Sequence, residues 1–435
     1  MQGDLTKVRR NIHTYPFKYT RIEGEEFFTP APGVLYLHIP FCSTKCHFCD
    51  YTVYTNKSAE TKARYVEALC EEIRRFPEHP TFPRFRIEAI YFGGGTPGLL
   101  EAQQLLKIFA TCRETFDLSD DCEVGLEFDP NCVSYEKVQA LQEGGFNRLS
   151  VGVQTFDDRL LAQSNRPHNA ASIYRAFEAI QRSGFKHVNL DLIYPLPGLT
   201  MEIWEDSVQQ AMAFEPACLT IYGLEIWPGT AYYNWLEKGK LPLPAPEDEA
   251  QMYLYAMEQL EGAGFIARSN SGYYHPERAN RYCRFLDFYW RTWPMIGFGV
   301  SSKSVVQDHL WVNVKPLGEY FERLENRRSV MDFATYLSKP QEMRRVMIRG
   351  LKMCEVSKLE FLERFGVEME SVFRAEIDSL AEDGLVVNAE DRVYLTHKGR
   401  VYGTNVYERF YTQDDVRPPM PGEIQFGISH LVATA

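Results

Sequence analysis

The 435-residue chain has no apolar run that approaches the roughly 20 consecutive residues a bilayer-spanning helix needs, so no membrane span is expected. It has no block of clustered Lys or Arg, and its formal net charge is −12. Without a row of cations to displace counterions from a phosphate backbone, nucleic acid is disfavoured as a partner. No internal repeat of solenoid period occurs. Cysteine is sparse: seven of the ten (Cys70, Cys112, Cys122, Cys132, Cys218, Cys283 and Cys354) are scattered singly. That spacing disfavours a disulfide framework and suits small core hydrophobes in a reducing compartment. Residues 1–29 mix Arg9, Arg10, Tyr15, Phe17 and Tyr19 without an apolar core, and read as neither signal peptide nor anchor. A cytoplasmic enzyme of two or three domains is the expectation.

What the chain does have is concentrated between Val34 and Tyr54, V-L-Y-L-H-I-P-F-C-S-T-K-C-H-F-C-D-Y-T-V-Y. An apolar run with β-branched and aromatic content reads as a buried strand ended by Pro40. Cys42, Cys46 and Cys49 follow as C-x3-C-x2-C. Three thiolates on one short loop can cap a face of a cubane iron–sulfur cluster and leave one iron open to a ligand. A structural zinc site is the alternative, with His47 as the local fourth ligand, although the Cys-His-x-Cys crowding strains tetrahedral closure.

Downstream, Ile87 to Phe92, Cys122 to Phe128, Leu149 to Val153, Val188 to Ile193 and Leu219 to Leu224 are further short apolar strands. Helix-period segments separate them: Ala59 to Phe76, Leu99 to Thr115, Val138 to Gly144, Ala170 to Ser183 and Met201 to Phe214. This alternation predicts an α/β fold, a partial (β/α)6 TIM-like barrel. Ligands gather at the carboxyl ends of such strands. Cys42, Gly95, Glu127, Gln154 and Asp191 all fall there.

The expected division is an N-terminal extension over 1–32, the barrel over 33–240, an aromatic-rich extension completing the active site over 241–335, a helical domain over 336–411, and a proline-rich tail over 412–435. Pro242 to Pro246 is a stiff connector, with a helix expected over Glu249 to Gly262. The aromatic residues from Tyr273 to Trp293 suit either packing or contact with a large flat substrate. Gly297-Phe298-Gly299 allows some close backbone approach. Helices expected at Arg344 to Cys354, Lys358 to Phe365 and Met369 to Asp383, then strands at Leu385 to Asn388 and Val393 to Thr396, make a winged-helix-like α+β domain. Glu363, Glu368, Glu370, Glu376, Asp378, Glu382 and Asp383 make it acidic, which suits a lid or packing role more than a reader of DNA.

Taken together, these motifs resemble the radical S-adenosylmethionine (SAM) enzymes, in the oxygen-independent coproporphyrinogen III oxidase-like branch. The cysteine loop carries the resemblance with F-G-G-G-T-P (Phe92 to Pro97), L-E-F-D-P (Leu126 to Pro130), S-V-G-V-Q (Ser150 to Gln154), N-R-P-H (Asn165 to His168), N-L-D-L-I-Y (Asn189 to Tyr194) and L-T-H-K-G (Leu395 to Gly399). The resemblance implies a [4Fe-4S] cluster on Cys42, Cys46 and Cys49, with the open iron taking the amino and carboxylate groups of SAM. Gly94, Gly95, Thr96 and Glu127 would hold its amino end and Arg166 its carboxylate. Gln154 and Asp191 would contact the rest of it, and Tyr36 and Phe48 would line the cluster side. An electron from a flavodoxin or ferredoxin would cleave the sulfonium to a 5′-deoxyadenosyl radical, chemistry that the cofactor supplies.

Departures from the branch shape the functional expectation. The coproporphyrinogen oxidases of the resembled group carry a further Cys where this chain has Tyr51, and a Gln near the position of Asn270. Its haem chaperones read G-L-P-G-Q-T where this chain has Leu199. The expectation is therefore a methyltransferase or cyclopropanase acting on an sp2 carbon of a flat aromatic or tetrapyrrole substrate, with a second SAM as carbon donor. Porphyrinogen decarboxylation, haem carriage or haem degradation are the alternatives. No general base is assigned; Glu225, Tyr222 or the cosubstrate itself are candidates, and His38, His47 and His168 are the histidines nearest the motifs.

Overall fold

The structure, a computed structural model, describes residues 18–20, 32–78, 86–412 and 423–425. The expected N-terminal extension and tail lie almost wholly outside them. Two three-residue strands from these segments, Lys18–Thr20 and Glu423–Gln425, pair antiparallel.

Each apolar run becomes a strand, and the six pair in parallel in chain order: β1 (Gly33–Ile39), β2 (Arg86–Gly94), β3 (Asp117–Phe128), β4 (Arg148–Gln154), β5 (Val188–Tyr194) and β6 (Cys218–Gly223). The crossovers are α1 (Ala59–Arg75), α2 (Ala102–Thr115), α3 (Tyr135–Glu143), α4 (Ala170–Ser183) and α5 (Met201–Ala213). Side-chain caps set where the helices begin. Ser58, Ser134, Asn169 and Thr200 accept the backbone N–H three residues on, each worth about 1 kcal/mol.

Period-two alternation then sorts the strands. Leu35, Leu37, Ile90, Phe92, Val124, Leu126, Leu149, Val151, Leu190 and Leu219 join Leu69, Ile108, Leu141, Phe177 and Val208 of the helices in one core. Burying each such side chain contributes about 1.5–3 kcal/mol. The other face of the strands, with Tyr36, Tyr91, Glu127, Ser150, Asp191 and Tyr222, looks into the barrel. The result is a mixed α/β fold with a partial TIM-like core.

The sheet is larger than expected. Short β7 (Gly272–Tyr274) pairs antiparallel with β6. On the far side of β1 lies a seventh parallel strand, β8 (Met295–Phe298), continued by an antiparallel meander of β9 (Lys303–Val306), β10 (His309–Asn313) and β11 (Met331–Tyr336). The close approach expected at Gly297 and Gly299 is therefore to the chain itself. A Cβ on Gly297 would collide with the Lys303 carbonyl, and one on Gly299 (φ +95) would lie 2.7 Å from the His38 carbonyl.

One buried carboxyl fastens this edge. Glu72 of α1 accepts from Gly299 N–H (2.8 Å), Asn313 Nδ2 (2.7 Å) and Tyr320 OH (2.5 Å). Burial pushes it up to about 7 against those three hydrogen bonds. Tyr320→Phe removes one donor to a carboxylate, and the expected cost is about 1.5 kcal/mol by urea denaturation.

The last third has its own core, which includes Met347, Leu351, Phe361, Phe373, Ile377, Leu380 and Val393. Its order is helix (Lys339–Lys352), strand (Glu355–Ser357), helix (Lys358–Phe365), helix (Met369–Glu382) and strands Val386–Asn388 and Arg392–Leu395, a winged-helix order. The first helix starts five residues before the expected Arg344, because Ser338 and Gln341 close a capping box around Pro340. Strand Glu355–Ser357 was not expected. Among the described residues no helix is long and apolar enough to cross a membrane.

Candidate active site

The cysteine loop is closed at its base. Phe41–Cys42 pairs in parallel with Tyr54–Thr55, and Tyr54 N–H donates to the Pro40 carbonyl (2.6 Å). Its body rests on the N-R-P-H segment: Thr44 Oγ1 donates to the Asn165 carbonyl (3.0 Å), and Asn165 Nδ2 donates to the Lys45 carbonyl (2.8 Å). Asn165 holds φ 58, a left-handed conformation that its short amide tolerates. His47 Nδ1 lies 2.9 Å from the Gln163 carbonyl, and the ring packs edge-on to Trp235. Among the described residues no three His, Cys, Asp or Glu side chains converge on one ion.

The three thiols are half-buried. Cys42 Sγ lies 3.5 Å from Thr96 Oγ1, and Cys46 Sγ accepts from Arg166 Nη1 at 3.3 Å. Burial, with Cys46 adding, pushes Cys49 up to about 12. A metal bound at Cys49 would have to displace that thiol's proton. Phe48 turns to Tyr232, with ring centroids 6.3 Å apart.

The glycine stretch after β2 folds back under this loop. Gly95 N–H donates to the Ile39 carbonyl (2.9 Å) and Thr96 N–H to the Phe41 carbonyl (2.7 Å). Gly94 needs its glycine twice over, for φ +110 and because a Cβ would press on the His38 ring. His38 is itself a latch. Tyr36 OH donates to Nδ1 (3.1 Å), and Nε2–H donates to the Thr52 carbonyl (3.0 Å). Burial pulls His38 down to about 4, so the ring is neutral and both nitrogens are engaged.

Inside the barrel, Glu127 accepts only a long bond from Gly94 N–H (3.3 Å) and one from Tyr91. No cation among the described residues pairs with it. Burial, with Asp191 adding and Tyr91 and Gly94 opposing, pushes it up to about 7. Asp191 is held by Ser150 Oγ (2.9 Å) and Asn189 Nδ2 (2.8 Å), and burial still raises it. Gln154, at a bulge with φ 71, keeps its Oε1 buried without a hydrogen-bond partner.

Arg166 does more than expected of it. Its Nη2 donates to Asp129 Oδ2 (2.9 Å) and the Gly152 carbonyl (2.8 Å), while its Nε is buried without a partner. Asp129 also takes His168 Nδ1 (2.9 Å), and His168 Nε2 faces the Val153 carbonyl (3.1 Å). Burial would raise Asp129, but His168 and Arg166 outweigh it and hold the carboxyl below the usual range. His168 is thus a bracing residue, and Asp129 one that sequence reasoning missed, though both motifs carrying them stood out. Asp129→Asn keeps the shape but loses the charge. It should cost about 1.5 kcal/mol in thermal denaturation and loosen iron retention by the loop.

The aromatic span answers the question put to it. Tyr282, Phe285 and Phe288 pack with Val34, Ala89, Tyr91 and Met295, and Phe285 stacks on Tyr91 at 4.7 Å. They plug the barrel and form the site's floor. Above it, Tyr51 and Tyr222 remain 55% and 41% exposed. Both face Glu127, and Tyr222 also faces Asp191. Glu225 lies just past β6, half-buried. Asn270 is used elsewhere: its N–H donates to the Lys352 carbonyl (2.7 Å) and its carbonyl accepts from Tyr253 OH (2.7 Å).

Comparison with known proteins fits this geometry. Residues 36–211 match the radical SAM superfamily model, and residues 337–402 match the HemN C-terminal domain. The chain is 33% identical over 377 residues to the heme chaperone HemW of Bacillus subtilis, spanning 86% of this chain and 98% of that protein. It is 27% identical to the oxygen-independent coproporphyrinogen III oxidase of Salmonella typhimurium, over 82% of this chain and 81% of the other. The solved structure of the Escherichia coli coproporphyrinogen III oxidase HemN superposes with a TM-score of 0.78 at 24% identity, covering 92% of this chain and 96% of that one. Three thiols on one loop, a buried carboxyl lacking a cation among the described residues and an orphaned amide oxygen suit the [4Fe-4S] cluster and SAM that such relatives imply. The chain belongs to the radical SAM superfamily, in the branch that carries a HemN C-terminal domain.

Proposed function

We propose that this protein binds SAM at a [4Fe-4S] cluster on Cys42, Cys46 and Cys49 and acts on a tetrapyrrole. Glu127 carries the proposal: it is a buried carboxyl with no cation among the described residues, beside the glycine stretch that folds under the thiol loop. It would receive the ammonium of SAM, with the Gly94-Gly95-Thr96 backbone alongside. Arg166 would offer its remaining Nε to the carboxylate while Nη2 stays on Asp129. Gln154 Oε1 and Asp191 would accept from the ribose and adenine side. Tyr36 braces the loop through His38, and Phe48 closes its outer side. When bound, the reduced cluster supplies the electron that cleaves the sulfonium to a 5′-deoxyadenosyl radical. The stacked Tyr91–Phe285 floor would exclude water from below the site.

A tetrapyrrole is favoured because the relatives' names concern haem and coproporphyrinogen, and because aromatic rings line the interior. A cytoplasmic flavodoxin or ferredoxin as electron donor belongs to the same proposal. Transfer of carbon from a second SAM, expected from Tyr51 and Asn270, has no support among these relatives, and Asn270 serves in packing. Haem carriage is the second reading, favoured by HemW matching over 98% of its length. His38 and His168 have both nitrogens engaged, so neither is ready to ligate haem iron.

The test is anaerobic turnover of the reconstituted protein with SAM, reductant and tetrapyrroles, with 5′-deoxyadenosine and product mass measured together. Deoxyadenosine formed in step with a dehydrogenated or decarboxylated tetrapyrrole supports the enzyme. Haem binding without coupled cleavage would move the assignment to haem carriage. A labelled methyl group in the product would restore carbon transfer.

A further inference from the structure

The chain is acidic overall, yet cations gather at one place. Lys303 at the start of β9 is faced by Arg345 and Arg349 of the helix Lys339–Lys352, one turn apart on the same side, and by Asp50. Lys315 is faced by Lys303, Lys45, Asp50 and Asp332. Asp50 follows Cys49 directly, so this basic cluster adjoins the cysteine loop. It lies where the C-terminal unit meets the barrel.

Arg349 is the telling member. It is 4% exposed, and its guanidinium lies 4.0 Å over the Tyr289 ring and 5.3 Å from that of Trp290. Tyr289 in turn faces Tyr36 and Tyr51 of the barrel interior. Stacking satisfies the flat face of a guanidinium but leaves its edge N–H donors to find acceptors. Here Nε is buried without a hydrogen-bond partner, and no carboxylate among the described residues pairs with Arg349. A buried guanidinium held this way costs free energy unless an anion reaches it. In a chain of net charge −12, cations clustered in one place also attract an anionic ligand.

We propose that Arg349 and Lys303 form a subsite for a carboxylate of the substrate, at the junction of the barrel with the C-terminal unit. This rests on the tetrapyrrole reading and adds to it how the flat substrate is oriented: one carboxylate is gripped beside Tyr289, and the ring face turns toward the interior over Glu127. Arg349 supplies the fork of N–H donors and Lys303 a second charge. The C-terminal helix thereby becomes part of substrate recognition.

The probe is metal-free protoporphyrin IX, which carries two carboxylates and has no iron to bind elsewhere, compared with its dimethyl ester. Fluorescence titration would use the reconstituted full-length protein. The wild type should bind the diacid about tenfold more tightly than the diester, the worth of a charge-assisted hydrogen bond. R349Q should lose that preference while keeping its affinity for the diester, K303Q should lose part of it, and R349K should fall between R349Q and wild type. K303Q changes a solvent-facing strand position, so it reports even where R349Q fails to fold. Equal binding of diacid and diester by the wild type, or a preference unchanged in both Gln variants, overturns the subsite and leaves the tetrapyrrole reading standing. Binding of neither porphyrin by the wild type overturns that reading and the subsite with it.

Discussion

Serine at any one of Cys42, Cys46 or Cys49 is expected to abolish the visible iron–sulfur absorbance after anaerobic reconstitution and to reduce SAM cleavage to reagent background. Each thiol would hold its own iron, and the fourth iron would be left to SAM. A further thiol, Cys132, is close enough to Cys42 for the two to influence one another. Cys132→Ser is the informative control. If it matches wild type in iron content and 5′-deoxyadenosine, the cluster stands on three cysteines. If it loses iron as the loop variants do, a fourth protein ligand exists, and the open iron at the centre of the proposal is gone. Stability should separate the classes little, since all four sites are half-buried.

How much of this could be read before the fold was known depends on where the determining contacts lie. Helices Ala170–Ser183 and Lys358–Phe365 fall on their expected bounds, because Asn169, Gly184, Ser357 and Gly366 cap them locally. The six strands were legible from apolar runs that must be covered by helices. The seventh was not: β8 has four residues, and its partner β1 lies some 260 positions away, so nothing local marks it. The same holds in the site. Glu127, Gln154 and Asp191 could be placed because strand ends collect ligands. The Asp129–His168–Arg166 group needs a contact across 37 residues that no spacing rule encodes. Arg349 reads in sequence as an ordinary helical arginine, and only the fold brings Tyr289 beneath it.

The expectation of carbon transfer, which the relatives leave unsupported, rests on single positions that also serve packing. Leu199 departs from the haem-chaperone pattern, yet it is 4% exposed and packs in the main core. Its identity answers to packing as much as to any ligand. Asn270 likewise joins the barrel to the C-terminal unit. Single departures at such positions carry little functional weight beside relatives that match most of the chain.

Glu127→Gln should weaken SAM binding by about 3 kcal/mol, roughly 150-fold, because it deletes one partner of a buried charge pair while keeping the side chain's volume. The pH dependence of the wild type gives an independent check. In the free protein burial holds Glu127 at about 7, so near neutrality about half the population carries a proton there. The ammonium of SAM favours the carboxylate and draws that value down, so binding releases a proton. The sign follows: above about pH 7 affinity is flat, and below it the dissociation constant rises toward tenfold per unit as the free carboxyl must first ionise. In Glu127→Gln the slope should vanish together with the affinity. Isothermal titration between pH 5.5 and 8.5 in two buffers of different ionisation enthalpy, a range of about 3 units centred near that value, reads both the slope and the proton released. A slope that persists in the Gln variant would place the titrating group elsewhere, with Asp191, raised by its own burial in the same interior, as the residue to substitute next.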